Sequence, residues 1–250
     1  MKKLRKLLTK SISNPDEQIE EWHPADSMIE MFGSMMCPQE LNTVIKVIQN
    51  GFERGLKPKL SNDGTSGTYF LRDANKKMRA VFKPIDEEAF APNNPRGYVG
   101  AFGQVTFRSG ILSGEACIRE VAAYLLDYQN FAGVPPTTMV EVTHDSFRKF
   151  KFSNYKIISE CKDYVDMISS IIAPENQSGN KNEDPNENNG QRNFLKIGSL
   201  QEFMVTDGCI EDYSCDLFEN DEIHKIAILD LRLLNLDRNE GNILVQTVED

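Results

Sequence analysis

A chain of 250 residues, 40% hydrophobic and 26% charged, can bury a sizeable core as one large domain or two lobes. Its formal net charge of −10 offers no general basic field, which argues against nucleic acid as a partner. No apolar run approaches the ~20 residues that span a bilayer, the basic start is too poor in apolar residues for a signal peptide, and five cysteines without a Cys-x-x-Cys pair predict free cytosolic thiols, not zinc or a disulfide framework.

Residues 1–36 read as a partly flexible extension. Its basic start offers contact with an anionic membrane surface, although a solvated terminus is the simpler reading. Over 37–56, Leu41, Val44, Ile45, Ile48 and Phe52 recur at helical spacing behind Pro38, which predicts a leading amphipathic helix. A strand opens at 57–60 and runs into Gly64-Thr65-Ser66-Gly67-Thr68, a hairpin turn whose amides could wrap a polyphosphate; an ordinary hairpin is the bland alternative. A second turn at 73–77 leads to an apolar strand that closes with Lys83 and Pro84. The Pro/Asn/Gly-rich stretch 86–97 reads as loop.

A helix is predicted over 113–128, with Ser113 as N-cap and Ile118, Val121, Ala122 and Leu125 as its apolar stripe. Glu115 and Glu120 lie off that stripe and are candidates to reach back to Lys83, Glu120 first because it sits well inside the helix. Strands follow at 134–142 and 147–158. Residues 174–193 hold no aromatic or aliphatic side chain, cannot offset their ordering entropy, and are expected to be a disordered insertion. Strand character resumes at 194–198, and 199–205 fits either a hinge or an edge strand. An acidic loop at 207–219 precedes a helix carrying Ile223, Ile226, Ala227, Asp230, Leu233 and Leu234.

That helix ends at Asp237-Arg238-Asn239-Glu240-Gly241-Asn242. The stretch offers a carboxylate, a neighbouring cation, a glycine for a tight turn and an amide five residues after the carboxylate. A phosphoryl-transfer loop needs those parts: the aspartate orients the attacking hydroxyl, and the asparagine holds a magnesium ion. Alone the pattern is weak. It gains weight because a glycine turn and a strand lysine precede it in the right order.

Taken together these motifs resemble the catalytic domain of the phosphatidylinositol 3- and 4-kinase superfamily, closest to its type II branch and to the plant-type gamma phosphatidylinositol 4-kinases. The resemblance covers roughly residues 57–248 and includes Arg119-Glu120-Val121-Ala122-Ala123, Val134-Pro135-Pro136-Thr137 and Ser199-Leu200-Gln201-Glu202-Phe203. It implies an α+β, bilobal kinase-like fold with a complete small β-rich lobe (57–200) and an incomplete helical lobe beginning with the hinge (201–250). By the same resemblance Gly64, Thr65, Ser66, Gly67 and Thr68 form the ATP-covering loop. Lys83 holds the ATP phosphates, Gln201, Glu202, Phe203 and Met204 form the adenine hinge, and Glu87 and Glu88 border the substrate. Asp237 with Arg238 and Lys83 is catalytic, and Asn242 is a Mg²⁺ ligand. Two positions depart from the family pattern, Ala89 in place of a proline and Asn239 in place of a histidine. No Asp-x-Gly follows Asn242 in this chain, and no ubiquitin-like domain precedes the catalytic region.

The implied activity is ATP-dependent transfer to the 4-hydroxyl of phosphatidylinositol or another inositol lipid at a membrane surface. A Ser/Thr protein kinase on the same fold and a non-catalytic fragment without the Asp-x-Gly are the alternatives. The expected setting is cytoplasmic and peripheral to a membrane, with Phe102, Val105 and Phe107 as candidates for a membrane-facing apolar surface.

Overall fold

The computed structural model describes residues 26–33, 37–147, 156–172 and 194–247. The expected insertion at 174–193, residues 1–25, and most of the expected strand at 147–158 lie outside the described residues.

Six strands make one antiparallel sheet: β1 (Met28–Met31), β2 (Lys59–Leu60), β3 (Tyr69–Arg72), β4 (Met78–Pro84), β5 (Thr137–Thr143) and β6 (Leu195–Glu202), in the order β1-β5-β6-β4-β3-β2. The neighbouring interior strands β5 and β6 are buried along most of their length, because both faces of the sheet are covered. On one face, α1 (Gln39–Glu53) lays Leu41, Val44, Ile48 and Phe52 against Leu71, Phe82, Val140 and Leu200. On the other, α2 (Ala116–Leu126) and α3 (Lys162–Ile172) bring Cys117, Val121, Ile168 and Ile171 against Met139 and Ile197. The alternation of Met139 with Val140 sends neighbouring side chains into different clusters, as the two-residue period of a strand requires. Among the described residues, no helix is long and apolar enough to cross a membrane. All five cysteines are free.

Several elements differ from the sequence reading. Met28–Met31, assigned there to a flexible extension, pairs with β5 as an edge strand of the main sheet. Its four residues are too few for a periodicity signal. Helix α3 was not foreseen, and Ile157 makes only an isolated bridge to Phe102 where a strand was expected. The strand at 194–198 and the stretch 199–205 are one strand as far as Glu202. The acidic loop contains β7 (Gly208–Cys209), which pairs with β8 (Leu244–Val245). Helix α4 (Asn220–Leu233) buries Leu229 while Leu231 stays largely exposed.

His144, just after β5, is buried and packs its ring against Phe52 at 5.3 Å and Phe147 at 6.2 Å. Its Nδ1 accepts the Ser146 amide at 3.0 Å, so the ring is held neutral. Burial pushes its pKa down to about 4; Asp145 opposes this and Lys57 adds to it. The unfolded chain takes up the proton near the ordinary value of 6.5, so this stability is complete above that pH and is lost as pH falls towards about 4. Between those limits the stability advantage of wild type over His144→Gln is expected to shrink by roughly 3 kcal/mol. Urea unfolding of both proteins at the two ends of the window measures it, and a pH-independent difference would mean that the ring is protonated in the folded state.

Candidate active site

Lys83 stands near the end of β4, and its ammonium pairs with the Glu120 carboxylate on α2. Of the two glutamates considered from sequence, Glu115 instead accepts the Leu112 amide at 3.2 Å and lies 3.5 Å from Arg119. The other oxygen of Glu120 accepts the Ser199 hydroxyl at 2.7 Å. Ser199 sits directly opposite Lys83 in the β4–β6 register, a role that no motif in the sequence signals. The strands reach this register because residue 198 is glycine. A Cβ there would meet the Lys83 carbonyl oxygen at 2.1 Å. Burial pulls the Lys83 pKa down, but Glu120 and Glu88 more than reverse it, so the amine is held protonated above its ordinary range.

The acidic pair after β4 is internal. Glu88 is buried and accepts three backbone amides at the start of α2, from Gly114 (2.7 Å), Ala116 (3.1 Å) and Cys117 (2.9 Å). It caps the helix from the segment that follows β4, 28 residues before Ala116. The expected N-cap Ser113 makes no side-chain bond to the helix; its carbonyl accepts the Tyr164 hydroxyl instead. Burial raises the Glu88 pKa to about 7 against the pull of its three donors. Glu87 accepts the Tyr69 hydroxyl at 2.7 Å and lies 3.0 Å from the Lys196 ammonium, which also pairs with Asp86. The expectation that both glutamates border the substrate is corrected for Glu87, which lies outside the cavity lining. Both carboxylates are buried and committed to protein groups, and of the two only Glu88 lines the cavity described below.

The glycine turn is tied down by this same segment. The Gly67 amide donates to the Glu87 carbonyl at 2.8 Å, and a Cβ on Gly67 would lie 2.3 Å from the Glu87 carboxylate. Ser66 accepts the Ala89 amide at 3.2 Å, and Asn94 donates to the carbonyls of Thr65 and Glu88 at 2.8 and 2.9 Å. Gly64 takes φ +88, where a side chain would be strained.

Asp230 in the last turn of α4 organises the loop that follows. It accepts both Nε and Nη2 of Arg238 at 2.8 Å, and Asn235 Nδ2 at 2.8 Å. Such a bidentate guanidinium–carboxylate pair fixes orientation as well as distance. Arg238 also donates to the Asn242 carbonyl, and Asn242 Nδ2 donates to the Asp237 carbonyl at 2.7 Å. Arg238 is thus a positioning residue, and the Asp237 carboxylate pairs with a cation that the sequence reading passed over, Arg108.

These groups share a cavity of about 810 Å³, within the size range of nucleotide sites. Thr65, Ser66, Lys83, Glu88 and Glu120 line it together with Asp237, Arg238 and Asn242, as do Thr106, Phe107 and Arg108. Gly64, Gly67 and Thr68 are outside the lining. Of the hinge candidates, Gln201 lines the cavity, whereas the amides of Glu202 and Phe203 are bonded to the carbonyls of Pro136 and Arg79, each at 2.9 Å. A protonated lysine held at the edge of an open cavity suits a polyanionic donor. The fit to magnesium is partial: Asn242 offers its side-chain oxygen, and among the described residues no group of three His, Cys, Asp or Glu could hold a metal ion.

Replacing Glu88 by alanine strands three amides and uncaps α2, which is expected to cost ~2–4 kcal/mol in chemical unfolding. Glu88→Gln, which keeps one acceptor, should recover part of that. A loss under 0.5 kcal/mol for the alanine would remove Glu88 from this role.

A family model described as phosphatidylinositol 3- and 4-kinase matches residues 64–250. Phosphatidylinositol 4-kinase gamma 6 of Arabidopsis thaliana is 35% identical over 223 residues, covering 89% of this chain and 31% of the relative. Phosphatidylinositol 4-kinase gamma 7 of the same plant is 36% identical over 222 residues, covering 88% and 30%. Phosphatidylinositol 4-kinase gamma 4 of Oryza sativa subsp. japonica is 34% identical over 233 residues, covering 89% and 33%. The chain thus spans about a third of the length of these relatives. With the family model extending from the glycine turn through the Asp237 loop, the chain belongs to the phosphatidylinositol 3- and 4-kinase family.

Proposed function

We propose that this chain forms the donor- and acceptor-binding part of a phosphatidylinositol 4-kinase-type phosphotransferase, acting as a peripheral protein at a cytoplasmic membrane face. The observation that carries the reading is one cavity lined by both the Lys83–Glu120 pair and the Asp237 loop. Lys83 holds the phosphates of ATP, and Glu120, steadied by Ser199, keeps the amine turned towards them. Thr65 and Ser66 close over the donor from the glycine turn.

Asp237 accepts the hydrogen bond of the acceptor's ring hydroxyl. As that oxygen bonds to the γ-phosphorus, the bond from the γ-phosphorus to the bridging oxygen breaks. ADP leaves with the bond's electron pair, and the hydroxyl proton passes to Asp237. Asn242 would contribute an oxygen to a magnesium ion, whose chemistry is to neutralise the phosphate charge. The 4-hydroxyl of an inositol phospholipid is favoured as acceptor because the relatives are named for that reaction.

Phosphoryl transfer relies on positioning and charge, so loss of the acceptor-orienting carboxylate is expected to cost roughly 10³-fold or more in turnover. Asp237→Asn preserves shape and should leave ATP affinity within about twofold, whereas Lys83→Ala should weaken both binding and turnover. Radiolabel transfer from ATP to phosphatidylinositol in mixed micelles, beside a generic protein substrate, measures this. Normal turnover in Asp237→Asn would refute the assignment of the loop, and labelling of the protein substrate alone would replace the lipid acceptor with a Ser/Thr acceptor.

A further inference from the structure

The segment between Glu88 and Glu115 holds no acidic residue, although the chain as a whole carries a net charge of −10; its charged residues are Arg96 and Arg108. Within it, residues 103–112 form a hairpin finger. Val105 bridges Leu112, the Thr106 amide donates to the Ile111 carbonyl at 3.0 Å, and the Ser113 amide donates to the Gln104 carbonyl at 2.8 Å. The root is fixed by Phe102, fully buried in the core and so removed from the membrane-facing candidates. The tip is the opposite. Phe107 is 58% exposed, although its ring packs on Phe90 at 4.7 Å and Tyr98 at 5.0 Å. Val105, Tyr98 and Val99 are exposed beside it in the chain. Next to Phe107, Arg108 reaches over the cavity to the Asp237 carboxylate.

Single exposed apolar side chains are ordinary, but four from one short, rigid, acid-free segment form a surface suited to a partner that is apolar and negatively charged. We propose that the finger docks on an anionic phospholipid surface. Phe107, Val105, Tyr98 and Val99 enter the interfacial layer, and Arg108 exchanges the Asp237 carboxylate for the phosphodiester of the acceptor lipid. The proposal rests on the lipid-acceptor reading above and specifies which residues select that acceptor. An aromatic edge seats well at the headgroup level, and a guanidinium matches a phosphodiester in a two-point contact. Basic residues at an anionic leaflet add attraction that salt weakens. Exchange of Arg108 frees the Asp237 carboxylate for the acceptor hydroxyl when a lipid has engaged the finger.

The test is flotation of the full chain, without nucleotide, with vesicles of phosphatidylcholine alone, with added phosphatidylserine, and with added phosphatidylinositol. Wild type should float with both anionic mixtures, and less as salt rises. Phe107→Ser should reduce binding by ~10-fold or more, the loss expected from one buried aromatic side chain. Val99→Ser, outside the cavity lining, should reduce binding in the same direction with an unchanged unfolding midpoint. Arg108→Gln should weaken binding to phosphatidylinositol vesicles, and Arg108→Lys should restore only part of it. Soluble glycerophosphoinositol, which has the phosphate without acyl chains, should not release the bound protein. The proposal fails if both serine variants float like wild type, if neutral vesicles bind equally well, if glycerophosphoinositol displaces the protein, or if wild type ignores vesicles and self-associates instead. Because flotation needs neither ATP nor turnover, these results are separable from the kinase assay: micellar lipid labelled normally by Phe107→Ser, without a flotation defect, refutes the finger and leaves the kinase reading in place.

Discussion

Glu88 is the residue on which the geometry around Lys83 depends. Its carboxylate joins the segment after β4 to the first turn of α2, the helix that carries the partner of Lys83. Glu120 stands one turn further along the same helix, so the cap that fixes the start of α2 also fixes the carboxylate facing the amine. Burying the carboxylate is costly, and three aligned amide donors offset that cost. Burial alone raises its pKa, while the donors and the nearby Lys83 ammonium pull it back. The site therefore spends one buried charge on architecture so that another, Lys83, can face the cavity.

Glu87 uses the opposite face of the same short segment. Its carbonyl receives the Gly67 amide and its carboxylate meets Tyr69 and Lys196, so the glycine turn, β3 and β6 converge on one residue. A side chain on Gly67 would collide with that carboxylate, which gives a packing reason for glycine at this position. The turn is held folded against the lobe through bonds to Glu87, Ala89 and Asn94, and it presents Thr65 and Ser66 to the cavity.

Much of this was legible in the sequence because it depends on local chemistry. The periodic stripe of α1, the β3–β4 hairpin, the lysine at the end of β4 and the Asp237–Asn242 spacing each follow from a short window of residues. The rest depends on contacts distant in the chain. Glu88 caps a helix 28 residues on, and Ser199 reaches Glu120 across 79. A propensity argument assigned the cap to Ser113 because serine is a good local cap; a tertiary carboxylate outcompeted it. Acidic side chains shortly after a strand-ending lysine read naturally as substrate-facing, yet the α2 amides hold Glu88 and Lys196 holds Glu87. Met28–Met31 was illegible because a short edge strand carries almost no pattern of its own.

The two arginines of the Asp237 wall illustrate how exposure divides structural from exchangeable charge. Arg238 grips Asp230 with two parallel bonds, and Asp230 keeps only 18% of its side chain exposed, so breaking that pair would strand a half-buried carboxylate at the base of the loop. Arg108 meets Asp237 with side chains 40% and 59% exposed. Water and salt compete for both partners there, and such a pair contributes at most about 1 kcal/mol. A phosphodiester that offers the guanidinium two oxygens can displace a contact of that strength, whereas nothing comparable displaces Arg238. Arg238 thus anchors the loop to Asp230, while the Asp237 carboxylate at its tip is only lightly held by Arg108.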